Sequence, residues 1–167
     1  MKDTVIVYYS LEGTTDKVAN ILADYAAADT LRLTPKKEPP KSGFGKFAVG
    51  GFQAIFQPDP KIQAVVGKLA DYKNVVIAYP VWAGTYPPAI GYLIDQGGLL
   101  GKNVYLIATS GSGNAKASFG KAKRKLASVG VRDTLSLTGP DKKKIRQFAE
   151  KNGLIPLRIL NNSQRRK

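Results

Sequence analysis

The chain has 167 residues, 43% of them hydrophobic, which suits one domain with a sizeable core. It contains no cysteine and no histidine, which removes disulfides, thiolate nucleophiles, iron–sulfur ligation and the commonest general base and metal ligand. Chemistry is then expected from a bound cofactor, or else there is none, and the net charge of +14 points to an anionic partner.

Met1-Lys2-Asp3-Thr4 leads straight into an apolar run and lacks the apolar core and cleavage site of a signal peptide. No apolar run approaches the ~20 residues that span a bilayer. A cytoplasmic protein is expected. Val5 to Tyr9 reads as a buried strand. It breaks into the turn Ser10-Leu11-Glu12-Gly13-Thr14-Thr15, and a helical pattern follows over Lys17 to Ala27. A strand that delivers the chain to a helix N-terminus gathers free N–H groups and the positive end of the helix dipole at one spot. Gly13 lets the backbone come close, while Ser10, Thr14 and Thr15 offer hydroxyls. No Lys or Arg lies in the turn, so a phosphate held there would rely on neutral donors. The competing reading is that these hydroxyls only cap the helix.

Further strands are read at Leu31 to Leu33, Val75 to Tyr79, Val104 to Ala108 and Leu135 to Leu137. Helical patterns cover Pro60 to Ala70, Pro88 to Gln96, Lys116 to Ser128 and Asp141 to Asn152. Alternating strands and helices predict a doubly wound α/β fold: a five-stranded parallel sheet with helices on both faces. The uniformly apolar strands from Val5, Val75 and Val104 belong at the centre, and the other two at the edges. Ligand groups then collect at the carboxyl ends of the strands. Three loops should meet there: the hydroxyl turn, Pro80 to Pro88 with the only tryptophan (Trp82), and Thr109 to Asn114. Trp82 is expected to face a cleft rather than lie deep in the core. A flat apolar ring with a phosphorylated tail would satisfy all three loops.

These loops resemble those of the flavodoxin family. The first is similar to its phosphate loop, T/S-x-T-G-x-T, at Ser10, Gly13 and Thr15. Pro80-Val81-Trp82-Ala83-Gly84 and Thr109-Ser110-Gly111-Ser112-Gly113 are similar to its two flavin-ring loops. The resemblance covers roughly Asp3 to Asn152 and implies the flavodoxin-like strand order 2-1-3-4-5. It implies FMN as cofactor, with Ser10, Glu12 (through its backbone), Gly13, Thr14 and Thr15 at the phosphate. Pro80, Val81, Trp82, Ala83 and Gly84 would line one side of the isoalloxazine, with Trp82 stacking. Gly84 would be the residue whose carbonyl turns toward flavin N5 on reduction. Ser110, Gly111, Ser112 and Gly113 would contact the other side, with Asn114 and Tyr86 at the rim. No catalytic side chain and no metal site is expected.

Two features depart from that family. Glu12 stands where a threonine is usual, and its carboxylate must point to solvent to tolerate a phosphate. The chain is strongly basic where flavodoxins are generally acidic, which suggests an acidic redox partner. Positive clusters at Lys121–Lys125, Lys142–Arg146 and Arg165–Lys167 lack the interleaved aromatics that stack bases, so no specific nucleic acid is expected. An insertion over about 35–60 carries Phe44, Phe47, Phe52 and Phe56, four of the six phenylalanines. Its readings are core packing, a homodimer contact or a lid. The domain is placed at 1–152, followed by a 153–167 extension that starts apolar and ends basic. The leading functional reading is an FMN electron carrier. The alternatives are an NAD(P)H-dependent quinone or FMN reductase or another flavin oxidoreductase, and a basic binding module that has lost the cofactor.

Overall fold

The computed structural model describes residues 2–35 and 65–157. In chain order these form β1 (Thr4–Tyr8), α1 (Thr14–Ala26), β2 (Asp29–Arg32), β3 (Asn74–Pro80), α2 (Pro88–Asp95), β4 (Asn103–Thr109), α3 (Lys116–Lys125), β5 (Val131–Leu137) and α4 (Lys142–Lys151). Residues 65–68 are also helical and run into a 3-10 turn at Leu69–Asp71. The strands form one parallel sheet in the order β2-β1-β3-β4-β5. This is the flavodoxin-like α/β fold that the sequence predicts.

Alternation along the central strands explains why both faces need cover. Val5, Val7, Val75, Ile77, Tyr79, Val104 and Leu106 turn to one face, under Ile90 and Leu93 of α2 and Ala122 of α3. Ile6, Tyr8, Val76, Ala78, Tyr105 and Ile107 turn to the other, under Val18 and Leu22 of α1 and Ile145 and Phe148 of α4. Strands buried on both sides read as continuous apolar runs, and each large side chain so buried contributes about 1.5–3 kcal/mol.

Boundaries differ from expectation in ways that have physical causes. α1 starts at Thr14 rather than Lys17, because Gly13 takes φ +89° and the helix begins at once. β5 starts four residues before the predicted Leu135. As a half-exposed edge strand it tolerates Arg32-like polar positions such as Arg132 and Asp133, and its register shifts against β4 between Val104 and Tyr105. The predicted Pro60–Ala70 helix and the 35–60 insertion, with its dimer and lid readings, fall largely or wholly outside the described residues. Leu154 and Ile155 dock into the α1/α4 side of the core and, among the described residues, the extension adds no strand.

Candidate functional site

Hydrogen bonds continue the parallel ladder just beyond the strand ends, and this is what brings the three loops together. Tyr9 N donates to Ala78 O (3.1 Å), Val81 N to Thr109 O (2.8 Å) and Ser110 N to Leu137 O (2.9 Å). A hydroxyl pair, Thr15 Oγ1 and Thr109 Oγ1 at 2.8 Å, locks the first loop to the third. Both threonines are buried. Above them opens a cleft of about 300 Å³. Ser10, Glu12, Thr14 and Thr15 line it from the first loop, Pro80, Val81 and Trp82 from the second, and Ser110 and Gly111 from the third. Gly13, Ala83, Gly84, Ser112 and Gly113 do not line this cleft. Leu11, Thr109 and Thr138 also line it, and the sequence reading did not single them out as ligand-holding residues. For Thr109 the available signal was a hydroxyl at the carboxyl end of a central strand.

The first loop is built around Gly13. Its left-handed φ of +89° turns the chain into α1, and its N–H donates to Ser10 Oγ at 3.1 Å. Ser10 Oγ keeps its own proton to donate, since it is the acceptor in that bond. Among the described residues no side chain caps α1, so the capping reading of the hydroxyl turn fails and the N–H groups of the first helical turn find no side-chain acceptor there. The contrast is α4, where Asp141 Oδ1 accepts from Lys144 N at 3.0 Å. Glu12 is exposed. Behind the loop, Arg32 Nη2 donates to Ser10 O at 3.0 Å, and Arg32 Nη1 lies 3.7 Å from Asp16 Oδ1. A positive charge therefore stands near the turn after all, delivered from β2, with the Asp16 carboxylate beside it.

The second loop makes a reciprocal pair of hydrogen bonds, Trp82 N to Thr85 O and Thr85 N to Trp82 O, both 2.9 Å. Its two central residues, Ala83 (φ 45°) and Gly84 (φ 71°), both have positive φ, the signature of a type I′ turn. Gly84 suits that conformation, whereas Ala83 pays about 1 kcal/mol for it. Trp82 lines the cleft as the sequence predicts, but it is also part of the core, which the sequence reading did not expect. It is only 6% exposed, belongs to the core, and meets Tyr9 edge-on with ring centroids 5.4 Å apart. It forms a fixed wall of the cleft because the turn folds it back over the sheet edge.

The third loop is anchored on β5. Ser136 Oγ donates to Gly113 O at 2.6 Å, and Gly113 takes φ +71°. A Cβ at Gly113 would sit 3.1 Å from Thr138 Cγ2, so glycine is required there for close approach. Gly113 thus faces β5, while Gly84 and Ser112 border a neighbouring groove with Val81 and Asn114. Tyr86 packs edge-on against Tyr79 at 6.3 Å.

Electrostatics leave the cleft without a proton donor poised near neutrality among its tyrosine neighbours. Burial, followed by the hydrogen bond to Asp16 (2.6 Å), pushes the Tyr8 phenol up to about 12. Burial pushes Tyr79 up to about 12 against the opposing hydrogen bond from Ser118, and burial also raises Tyr86. Among the described residues no group of His, Cys, Asp or Glu could hold a metal ion. The donor set suits a singly phosphorylated flat ligand: neutral hydroxyls and open N–H groups at one end, Pro80, Val81 and the Trp82 wall at the other.

The family model for NADPH-dependent FMN reductase matches residues 4–132, well over half of the chain. The chain belongs to that family. The flavodoxin resemblance therefore stands for the fold and for FMN as the cofactor, while the family is the reductase one, which the sequence had held as an alternative. No curated protein matches the chain. Among solved structures, a protein from Bacteroides eggerthii assigned as a flavoprotein is 23% identical with TM-score 0.69, over 89% of this chain and 96% of that one. A flavoprotein in complex with FMN from Lactobacillus acidophilus is 20% identical with TM-score 0.62, over 80% and 92%. FerB, the flavoenzyme NAD(P)H:(acceptor) oxidoreductase of Paracoccus denitrificans, is 18% identical with TM-score 0.60, over 89% and 94%. At these identities the likeness shows the fold. As a member of its family the chain is an FMN-binding flavoprotein. No helix among the described residues is long and apolar enough to cross a membrane.

Proposed function

We propose that this protein is an NAD(P)H-dependent flavin reductase that passes electrons from a nicotinamide nucleotide to FMN and on to a small acceptor such as a quinone. One observation carries the reading: three loops of a chain in the NADPH-dependent FMN reductase family converge on one cleft of neutral donors and apolar walls. FMN, when bound, supplies the capacity to accept and release electrons, which no side chain of a chain without Cys or His would provide.

The residues then have separable tasks. Ser10, Thr14 and Thr15 would hold the phosphate together with the open N–H groups that follow Gly13, and the Glu12 carboxylate stays in solvent. Arg32 would keep the loop in shape by gripping the Ser10 carbonyl, and its charge would favour the dianion. Pro80, Val81 and the buried Trp82 would form the dry wall for the ring, with Ser110 and Gly111 presenting backbone groups to its polar edge. Water exclusion on the Trp82 side follows from its packing against Tyr9.

The carrier reading rests on the same cleft and lacks the support of the family match. One experiment separates the three readings. Apo-protein is titrated with FMN by fluorescence quenching, and the loaded protein is then given NADPH and a quinone. Stoichiometric FMN uptake with sustained NADPH consumption supports a reductase. FMN uptake without NADPH consumption supports a carrier, and failure to take up FMN supports a non-redox module.

A further inference from the structure

A second concavity, about 680 Å³, lies beside the cofactor cleft and is larger than it. It runs between the second loop and α3. Val81 lines both hollows, so the two lie side by side, and Gly84 and Ser112 line the second. Its outer wall is α3, from which Lys116, Lys121 and Arg124 line the groove. These three are exposed, and none makes an ion pair among the described residues. α3 itself holds no acidic residue, and the nearby Asp95 is already taken by Lys125 at 2.6 Å. Between the cations lie Ala117 and Gly120, and the Arg124 guanidinium folds back over Gly120. A mid-helix glycine costs about 1 kcal/mol relative to alanine, and a Cβ at Gly120 would make only an ordinary 3.7 Å contact with that guanidinium. Core packing therefore does not demand the glycine. An open floor under the cations is what it provides.

We infer that this groove holds the adenosine phosphates of NADPH, with Lys116, Lys121 and Arg124 making the enzyme prefer NADPH to NADH. The inference rests on the reductase reading above and adds to it the residues that select the reductant. The physical case has three parts. A reducing nucleotide needs its nicotinamide at the cofactor cleft and its anionic half elsewhere, and this hollow adjoins that cleft across Val81. Lys116 and Arg124 are eight residues apart, about 12 Å along the helix, a span suited to several phosphates rather than one. Uncompensated cations facing a concave, partly enclosed wall attract a compact polyanion more strongly than the same charges on a flat face. An acidic protein would find the same charge but would need a broad surface rather than a slot of this size.

The test uses the FMN-loaded protein and two readouts. Binding of adenosine 2′,5′-bisphosphate, compared with 5′-AMP, is measured calorimetrically for wild type, for Lys116→Gln/Lys121→Gln/Arg124→Gln, and for Lys142→Gln/Lys143→Gln/Lys144→Gln. The second triple variant removes the same charge from α4, on the opposite face of the sheet. The groove variant should lose bisphosphate affinity by at least roughly tenfold, and the α4 variant by less than about threefold. KM for NADPH should rise in parallel in the groove variant, and by more than KM for NADH, which shares the pyrophosphate and lacks only the 2′-phosphate, while FMN uptake stays put. Equal losses in both variants would assign the effect to overall charge and overturn the proposal. So would bisphosphate affinity that survives in the groove variant, or a polyglutamate chain binding where the bisphosphate does not. If wild type binds the bisphosphate through these residues yet consumes no NADPH, the groove stands as a nucleotide site and the reductase reading fails instead.

Discussion

The two ends of the sheet use the same kinds of polar residue to opposite effect. At the amino end of the strands the groups satisfy one another. Arg132 Nε donates to Asn103 Oδ1 (3.2 Å), Asn103 Nδ2 to Asn74 Oδ1 (2.9 Å) and Asn74 Nδ2 to Thr4 Oγ1 (3.3 Å), a closed chain across four strands. Close by, Asp29 accepts from Lys2 and Tyr72. Those two hydrogen bonds hold its carboxyl below the usual carboxylate range. At the carboxyl end the loops are tied to one another only at their roots, and their hydroxyls and first-turn N–H groups open onto a hollow. Polar groups that close on each other stabilise the sheet. Polar groups held rigidly but left open are prepared for a ligand.

That division can be broken by substitution. Trp82→Ala tests the wall that belongs to both the core and the cleft. It should cost about 3–5 kcal/mol in urea unfolding, because a buried indole is removed. Trp82→Phe should restore most of the stability, and FMN affinity measured in that variant isolates the role of the indole at the ring.

Asn74→Ala should cost about 1–2 kcal/mol by removing the partner of Thr4 Oγ1 and of Asn103 Nδ2, with FMN affinity unchanged. A loss of FMN binding there would show that the two ends are coupled. Thr15→Val should show the reverse balance. It removes the buried hydroxyl pair for about 1 kcal/mol of stability but should weaken FMN binding roughly tenfold, with riboflavin binding unaffected. Ala83→Gly should have the smallest effect, a gain of up to about 1 kcal/mol from relief of the positive φ, seen as a raised midpoint in thermal unfolding.

Alkaline titration sharpens the same contrast at Tyr8, just below the first loop. Its folded pKa is about 12, above the ordinary 10.0. The neutral phenol thus contributes stability that is fully present below pH 10 and is lost as pH rises toward 12. Tyr8→Phe should flatten that decline while losing the bond to Asp16.

The central strands were legible because burial on both faces leaves no polar positions in Val5–Tyr8, Val75–Tyr79 or Val104–Ala108. β5 was half legible: Val131-Arg132-Asp133 is an edge segment, where exposure permits charge and hides the strand. The loops were legible as a set because each follows a strand predicted to be central. Three properties of the site were not. Arg32 reaches the hydroxyl turn from 22 residues away, through a strand pairing that no local pattern encodes. Trp82 is buried because a two-residue turn folds it inward, and the positive φ of an alanine gave no warning of that turn. The reductase family was missed as the leading reading because the three loops concern only the FMN.

The Ser10–Thr15 turn is proposed to grip a phosphate with uncharged donors. The direct measurement is a side-by-side titration of the apo-protein with FMN and with riboflavin, which differ only in that phosphate. FMN should bind at one equivalent and at least about 100-fold more tightly, as two or more charge-assisted hydrogen bonds would require. Equal affinities for the two flavins would contradict it.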